Sequence, residues 1–125
     1  MLLFIAEDDP GVRRAVEWEA RGLGWMVRAF SSGEELLSAW FMRRRAVVLC
    51  DAVLAGEVDG MRACLVIRLA DPRAEVHLMA GEPGVRRRAA ALGLPVALVK
   101  PFGSRELRAW LGRVARRRGA GAVGI

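Results

Sequence analysis

The chain has 125 residues, 54% hydrophobic and 27% charged, a balance that suits one folded domain with a buried core and excludes a disordered chain. Its net charge is +6, from nineteen Arg and one Lys against 14 acidic residues; this permits contact with polyanions or acidic proteins, but Arg-rich solvated helix faces account for it as simply. No apolar run reaches the roughly 18 residues of a membrane span, and Cys50, Cys64 and the lone His77 cannot assemble a zinc site.

Leu2–Ala6 is a short apolar run and is expected to be a buried strand. The segment MLLFIAEDDP lacks a basic leader region, so it reads as this strand and not as a signal peptide. Asp9-Pro10 is a helix start, Val12, Val16, Ala20 and Leu23 mark one helix face, and Gly22 and Gly24 end it. Trp25–Phe30 is the second strand. Ser31 or Ser32 caps a helix running to about Arg43, with Glu34 and Glu35 in its first turn. Ala46–Cys50 is the third strand and leads straight into Asp51. A loop follows, then a helix from about Gly60 to Leu69, broken by Asp71-Pro72. Glu75–Ala80 is the fourth strand, Gly81–Gly84 a loop, and Val85–Leu92 a helix. Val96–Val99 is the fifth strand and ends on Lys100-Pro101. Ser104 is expected to cap a last helix from about Arg105 to Arg117, with Leu107, Trp110, Leu111 and Val114 as its apolar stripe. One domain over residues 1–118 and a flexible tail over 119–125 are expected. Alternating strands and helices imply an α/β domain with a parallel sheet covered on both faces.

In such sheets ligands sit at the carboxyl ends of the strands. Strand one ends in Glu7-Asp8-Asp9, strand three in Asp51 and strand five in Lys100. Carboxylates crowded at one rim repel unless a hard cation neutralises them, and Mg²⁺ suits carboxylate, water and phosphate oxygens. A carboxylate can attack phosphorus to give an aspartyl phosphate, a reaction helped mostly by positioning and charge neutralisation. Singly, each residue has a plain structural use: the acids as helix caps, Asp51 as a loop residue, Lys100 as a surface residue. Together, with the only Lys of the chain at this point, they favour phosphoryl chemistry, because a compact ammonium is not replaced well by a guanidinium fork.

The segments IAEDDPGVRR (Ile5–Arg14), VVLCDAVLAGEVDG (Val47–Gly60), VHLMAGE (Val76–Glu82) and LVKPF (Leu98–Phe102) resemble the receiver domains of two-component response regulators, a CheY-like family, over about residues 1–117. The resemblance implies a single doubly wound, flavodoxin-like domain of five parallel strands in order 2-1-3-4-5 with five helices. It implies that Asp51 is the phosphoacceptor, served by a histidine kinase or phosphotransfer protein, and that Lys100 contacts the phosphoryl group. It places Mg²⁺ on Glu7, Asp8, Asp51 and the backbone carbonyl of Val53, with Asp8 a direct ligand. It implies a signalling domain and not an enzyme acting on other substrates, a Lys100-Pro101 bond of the cis kind found at X-Pro, and a homodimer through the face of helix four, strand five and helix five as an available assembly.

The chain departs from the family at two switch positions. Ala80 stands where a Thr or Ser ends strand four, and no Ser or Thr occurs between Ser38 and Ser104. Ala97 stands where strand five carries an aromatic residue, and none occurs between Phe41 and Phe102. Ala55 replaces a frequent Pro, and the loop at 81–84 is short by about two residues. The expectation is a domain that takes up phosphoryl but switches weakly or by another route.

Arg43–Arg45, Arg86–Arg88 and Arg116–Arg118 are basic triplets with no interleaved aromatic residues, so nucleic-acid binding by this domain is disfavoured. The last triplet is read as sitting at a helix C-terminus, where positive charge is favourable. Trp18, Trp40 and Trp110 are read as core or helix-rim residues, with a dimer face as the other use of Trp110, and His77 as a packed strand residue. A nucleotide-binding reading is weak without a Gly-rich phosphate loop. A haloacid-dehalogenase-type reading fails because Val53 stands where a second Asp is needed. Two alternatives to the phosphoacceptor are a pseudo-receiver that works by protein contacts alone and a basic nucleic-acid adaptor. Two thiols in apolar surroundings suit a reducing, cytoplasmic location.

Overall fold

The computed structural model describes the backbone of residues 1–123 and the side chains of residues 1–119. Its elements alternate throughout: β1 (Leu2–Ala6), α1 (Pro10–Gly22), β2 (Met26–Phe30), α2 (Gly33–Met42), β3 (Val47–Asp51), α3 (Gly60–Ala70), β4 (Val76–Ala80), α4 (Pro83–Ala91), β5 (Val96–Val99) and α5 (Ser104–Val123). The strands are parallel and ordered β2-β1-β3-β4-β5, so the chain reverses its direction of winding between β1 and β3. That reversal opens a crevice at the carboxyl ends of β1 and β3.

The strands are apolar on both faces because both faces are covered. Phe4, Val48, Cys50 and Leu78 pack beneath α2 and α3 with Leu36, Trp40 and Ile67. Leu3, Ile5, Leu49 and Met79 pack on the other side against Val16 and Ala20 of α1 and Leu107, Trp110, Leu111 and Val114 of α5. Period-two alternation between two apolar layers explains why the strands read as continuous hydrophobic runs.

Side-chain caps fix the helix starts nearest the crevice. Asp9 accepts from the N–H of Gly11 at 2.8 Å and of Val12 at 3.3 Å; Ser32 accepts from Glu35 N–H at 3.2 Å. Asp59, not foreseen from the sequence, accepts from Arg62 N–H at 2.9 Å. Each such cap is worth about 1 kcal/mol.

Several local expectations are corrected. Ser104 is not a cap: it lies inside α5 and its hydroxyl donates to Glu19 at 2.6 Å. The free N–H of Gly103 is taken instead by Glu106, three residues on, at 2.9 Å. α4 starts at Pro83, because Pro is well suited to the first helical turn. α5 continues past Arg117 to Val123, so the expected tail lies partly in this helix, and residues 124–125 fall outside the description. Trp18 is 80% exposed and Leu23 is 40% exposed, so neither belongs to the core. Trp110 is buried at 3% and meets His77 edge-on, 5.1 Å between ring centres, which removes it from any dimer face. Burial holds His77 below its usual range, opposed by its 2.6 Å hydrogen bond with Glu75.

Candidate functional site

The crevice gathers its charges from three strand ends. Glu7 follows β1 directly, and its N–H bonds to Phe30 carbonyl at 3.0 Å, so the β1–β2 ladder fixes its backbone. Its side chain is 1% exposed. Oε1 of Glu7 accepts the Asp9 N–H at 3.1 Å, and Arg13 donates to the Glu7 carbonyl at 2.8 Å. Asp51 is the last residue of β3, where the hydrophobic strand emerges at the rim. Its Oδ1 accepts the N–H of Val53 at 3.0 Å. Asp8 is exposed, and its Oδ2 accepts the N–H of Ala55 at 3.2 Å, tying the β3–α3 loop to the end of β1.

Lys100 arrives from the far side of the sheet. Its N–H bonds to the Ala80 carbonyl at 2.9 Å, which sets the end of β5 beside β4. Its ammonium donates to both Glu7 Oε2 and Asp51 Oδ2, each at 2.6 Å. The Lys100-Pro101 bond is cis. Burial by itself would lower the Lys100 pKa, but the charged hydrogen bonds to Asp51 and Glu7 prevail and hold it above its usual range. Burial also pushes Glu7 upward, against the lowering effect of Lys100.

Oxygens of Glu7, Asp8 and Asp51 lie within 4.8 Å of one another. One ammonium cannot neutralise three carboxylates, so the cluster keeps an excess of negative charge beside solvent. That donor set fits a hard divalent cation, with room left for water or phosphate oxygens. The neighbouring Cys50 plays no such part, since its contact with Cys64 and its burial push the thiol well up and leave it un-ionised at neutral pH.

Glu7, Asp8, Asp51 and Lys100 therefore meet in one place, although 93 residues separate Glu7 from Lys100. Val53 adjoins them through its N–H and is largely exposed. Ala80 is close by on β4 but offers only a methyl group and its carbonyl. Ala97 lies partly buried in β5, apart from the cluster, where it lines a groove of about 590 Å³ with Phe102, Arg105 and Arg113. Sequence reasoning missed Gly60. A Cβ there would stand 1.6 Å from the Asp51 carbonyl oxygen, so only glycine lets α3 start against the end of β3. The Asp59-Gly60 pair was the available signal.

Comparison with known proteins shows the family and the fold. A family model described as response regulator receiver domain matches residues 3–111. The probable transcriptional regulator ycf27 of Guillardia theta is 30% identical over 116 residues, covering 92% of this chain and 45% of that protein. Its counterpart in Pyropia yezoensis is 29% identical, covering 92% and 47%. The chain thus spans about half the length of the curated relatives it matches. Among solved structures, a response regulator described as putative, from Chloroflexus aurantiacus J-10-fl, has 28% identity and a TM-score of 0.78, with 89% of this chain and 97% of that one covered. The chemotaxis protein CheY4 of Vibrio cholerae, at 22% identity, a TM-score of 0.79 and coverage of 90% and 97%, shares the fold.

Proposed function

This chain belongs to the response regulator receiver domain family of two-component signalling, and from that premise we propose that Asp51 accepts a phosphoryl group from the phosphohistidine of a histidine kinase or phosphotransfer protein. A carboxylate oxygen of Asp51 forms the new bond to phosphorus. The phosphorus–nitrogen bond to the donor imidazole breaks, and its electron pair leaves with the imidazole, which then takes a proton from solvent. The observation that carries this reading is the Lys100 ammonium, 2.6 Å from Asp51 and 2.6 Å from Glu7. It sits where charge develops on the transferred oxygens, and such preorganised charge is the main catalytic resource in phosphoryl transfer.

Glu7, Asp8, Asp51 and the Val53 carbonyl would hold Mg²⁺, which supplies charge neutralisation for the phosphate oxygens. Glu7 is anchored by the Asp9 N–H and Asp8 by the Ala55 N–H, so both carboxylates are oriented before any ligand arrives. Incubation with Mg²⁺ and acetyl phosphate, followed by intact-mass spectrometry, should show one phosphoryl on the parent and none on Asp51→Asn. An unmodified parent would leave the pseudo-receiver, acting through its surfaces alone, as the better reading.

Ala80 and Ala97 make the coupling from Asp51 to the β4–β5 side weak. A Ser or Thr hydroxyl at position 80 would donate a charge-assisted bond to the phosphoryl group, worth about 1.5–3 kcal/mol, and this chain forgoes it. A switch needs contacts that differ between its two states. Amide shifts of α4 and β5 should therefore change little when the beryllofluoride mimic is added, while those around Asp51 change strongly. Large shifts throughout α4 and β5 would refute weak coupling.

A further inference from the structure

Two of the basic triplets, separated in sequence, join in the fold. Arg118 donates to the backbone carbonyl of Arg45 at 2.9 Å, which sets Arg116–Arg118 of α5 beside Arg43–Arg45 after α2. On the other side Arg43 lines a cleft of about 320 Å³ with Arg21 and Arg28, against Trp25 and Met26, and no carboxylate lines it. The result is a strip of eight arginines. It runs from the β2 edge around the amino ends of the strands to α5, the end of the sheet opposite Asp51.

Local reasons do not explain this strip. α5 runs on to Val123, so Arg116–Arg118 sit in the helix interior and gain nothing from its C-terminal dipole. α2 ends at Met42, with no basic residue in its last turn. Among the described residues only Glu17 and Glu75 pair with the strip, at 3.3 Å to Arg21 and 3.5 Å to Arg117. Of 20 basic and 14 acidic residues, removing these eight arginines and their two paired glutamates leaves twelve of each sign, and the nearest further carboxylates are Glu34 and Glu35, which share a second groove with Arg28. Concentrating like charges costs stability through self-repulsion, which an opposite charge on a partner relieves.

We infer that this arginine strip binds the phosphate backbone of nucleic acid without reading sequence. Guanidinium forks grip phosphate oxygens in pairs. Arg44 is held over the rings of Trp40 and Phe41, 5.2 Å and 5.0 Å from their centres, and so is set in place beforehand. A thread of phosphates can enter the Arg21–Arg28–Arg43 recess and follow the strip around the edge, which a flat bilayer cannot. Phe41 lies exposed beside the strip and Trp18 one helical turn before Arg21, so stacking is confined to these two places and the contact along the arginines is electrostatic.

The test is fluorescence anisotropy with a short labelled duplex of mixed sequence. Contact with about four phosphates gives a slope of log affinity on log salt near about −3.6, a loss of about a hundredfold between about 50 and 200 mM. The variant R43Q/R45Q/R116Q removes three charges and none of the side-chain hydrogen bonds described above, and it should bind at least about tenfold more weakly with a shallower slope. The control R86Q/R87Q/R88Q removes three charges elsewhere and should stay within about threefold of the parent. Equal losses in both variants would reduce the effect to net charge and overturn the strip. So would absence of saturable binding by the parent, or tighter binding to phosphatidylglycerol vesicles or polyglutamate than to duplex. The slope is measured on the parent itself, so it stands even if a variant folds poorly. Neither it nor the affinity depends on Asp51, so failure here and failure of phosphoryl uptake are separate results.

Discussion

Lys100→Ala should destabilise the domain by about 2–3 kcal/mol at neutral pH without divalent metal, and Mg²⁺ should return much of that loss. Removing one partner of a buried ion pair costs about 3–5 kcal/mol, because the other charge is left without compensation. Lys100 is one-quarter exposed, so solvent screening trims the figure. Glu7, at 1% exposure, has no such relief and would face Asp51 and Asp8 with no cation present. Burial already raises the Glu7 pKa, and losing Lys100 raises it further. A carboxyl raised in the folded state favours the fold below its unfolded pKa and loses that benefit as pH rises through the folded value. The gap between variant and parent should therefore narrow from pH ~7.5 to pH ~5.5. Lys100, itself raised, stays charged across that range and contributes no slope. Urea denaturation at both pH values, with EDTA and then with Mg²⁺, measures this. A gap that ignores both pH and metal would mean that Lys100 is not the counter-ion of this cluster. Lys100→Arg keeps the charge but cannot place one compact donor 2.6 Å from two carboxylates. It should recover stability more fully than phosphoryl uptake.

The sequence announces the strand ends because each hydrophobic run stops on a charge. Leu2–Ala6 stops at Glu7, Val47–Cys50 at Asp51 and Val96–Val99 at Lys100, and parallel topology carries all three to one rim. The acidic cluster and its single ammonium were legible for that reason. What depends on approach between distant segments was not. Ser104 looked like a cap, but Glu106 reaches back to Gly103 and leaves the serine free to bond Glu19. Trp18 fits a core residue by type, yet α1 turns it to solvent. Of the two basic triplets Arg116–Arg118 had a plausible local reason in the sequence, and only the Arg118–Arg45 contact shows that it forms one surface with Arg43–Arg45. Gly60 is the case with the most structural consequence: the Asp59-Gly60 pair marks a turn in the sequence, but not how near α3 comes to Asp51.

That closeness leads to a large effect from a single methyl group. Gly60→Ala would place its Cβ 1.6 Å from the Asp51 carbonyl oxygen, 2.7 Å from the carbonyl carbon and 3.0 Å from Cys50 Sγ. The first two are backbone atoms of a central strand. They cannot rotate away as a side-chain tip would, so either β3 or the start of α3 must move. Overpacking in a close-packed interior costs about 1–3 kcal/mol and sometimes more, and a backbone clash of this depth belongs at or above the top of that range. Moving the end of β3 also moves Asp51 against Lys100 and Glu7, whose 2.6 Å contacts leave little slack. Gly60→Ala should therefore lose about 3 kcal/mol or more in urea denaturation and also take up phosphoryl from acetyl phosphate more slowly under conditions where it remains folded. Gly22→Ala is the matched control: its Cβ would meet nothing within 4 Å, and as the last residue of α1 it should be neutral or slightly stabilising. If the two variants differ by less than about 1 kcal/mol, the approach of α3 to Asp51 does not fix the position of this carboxylate.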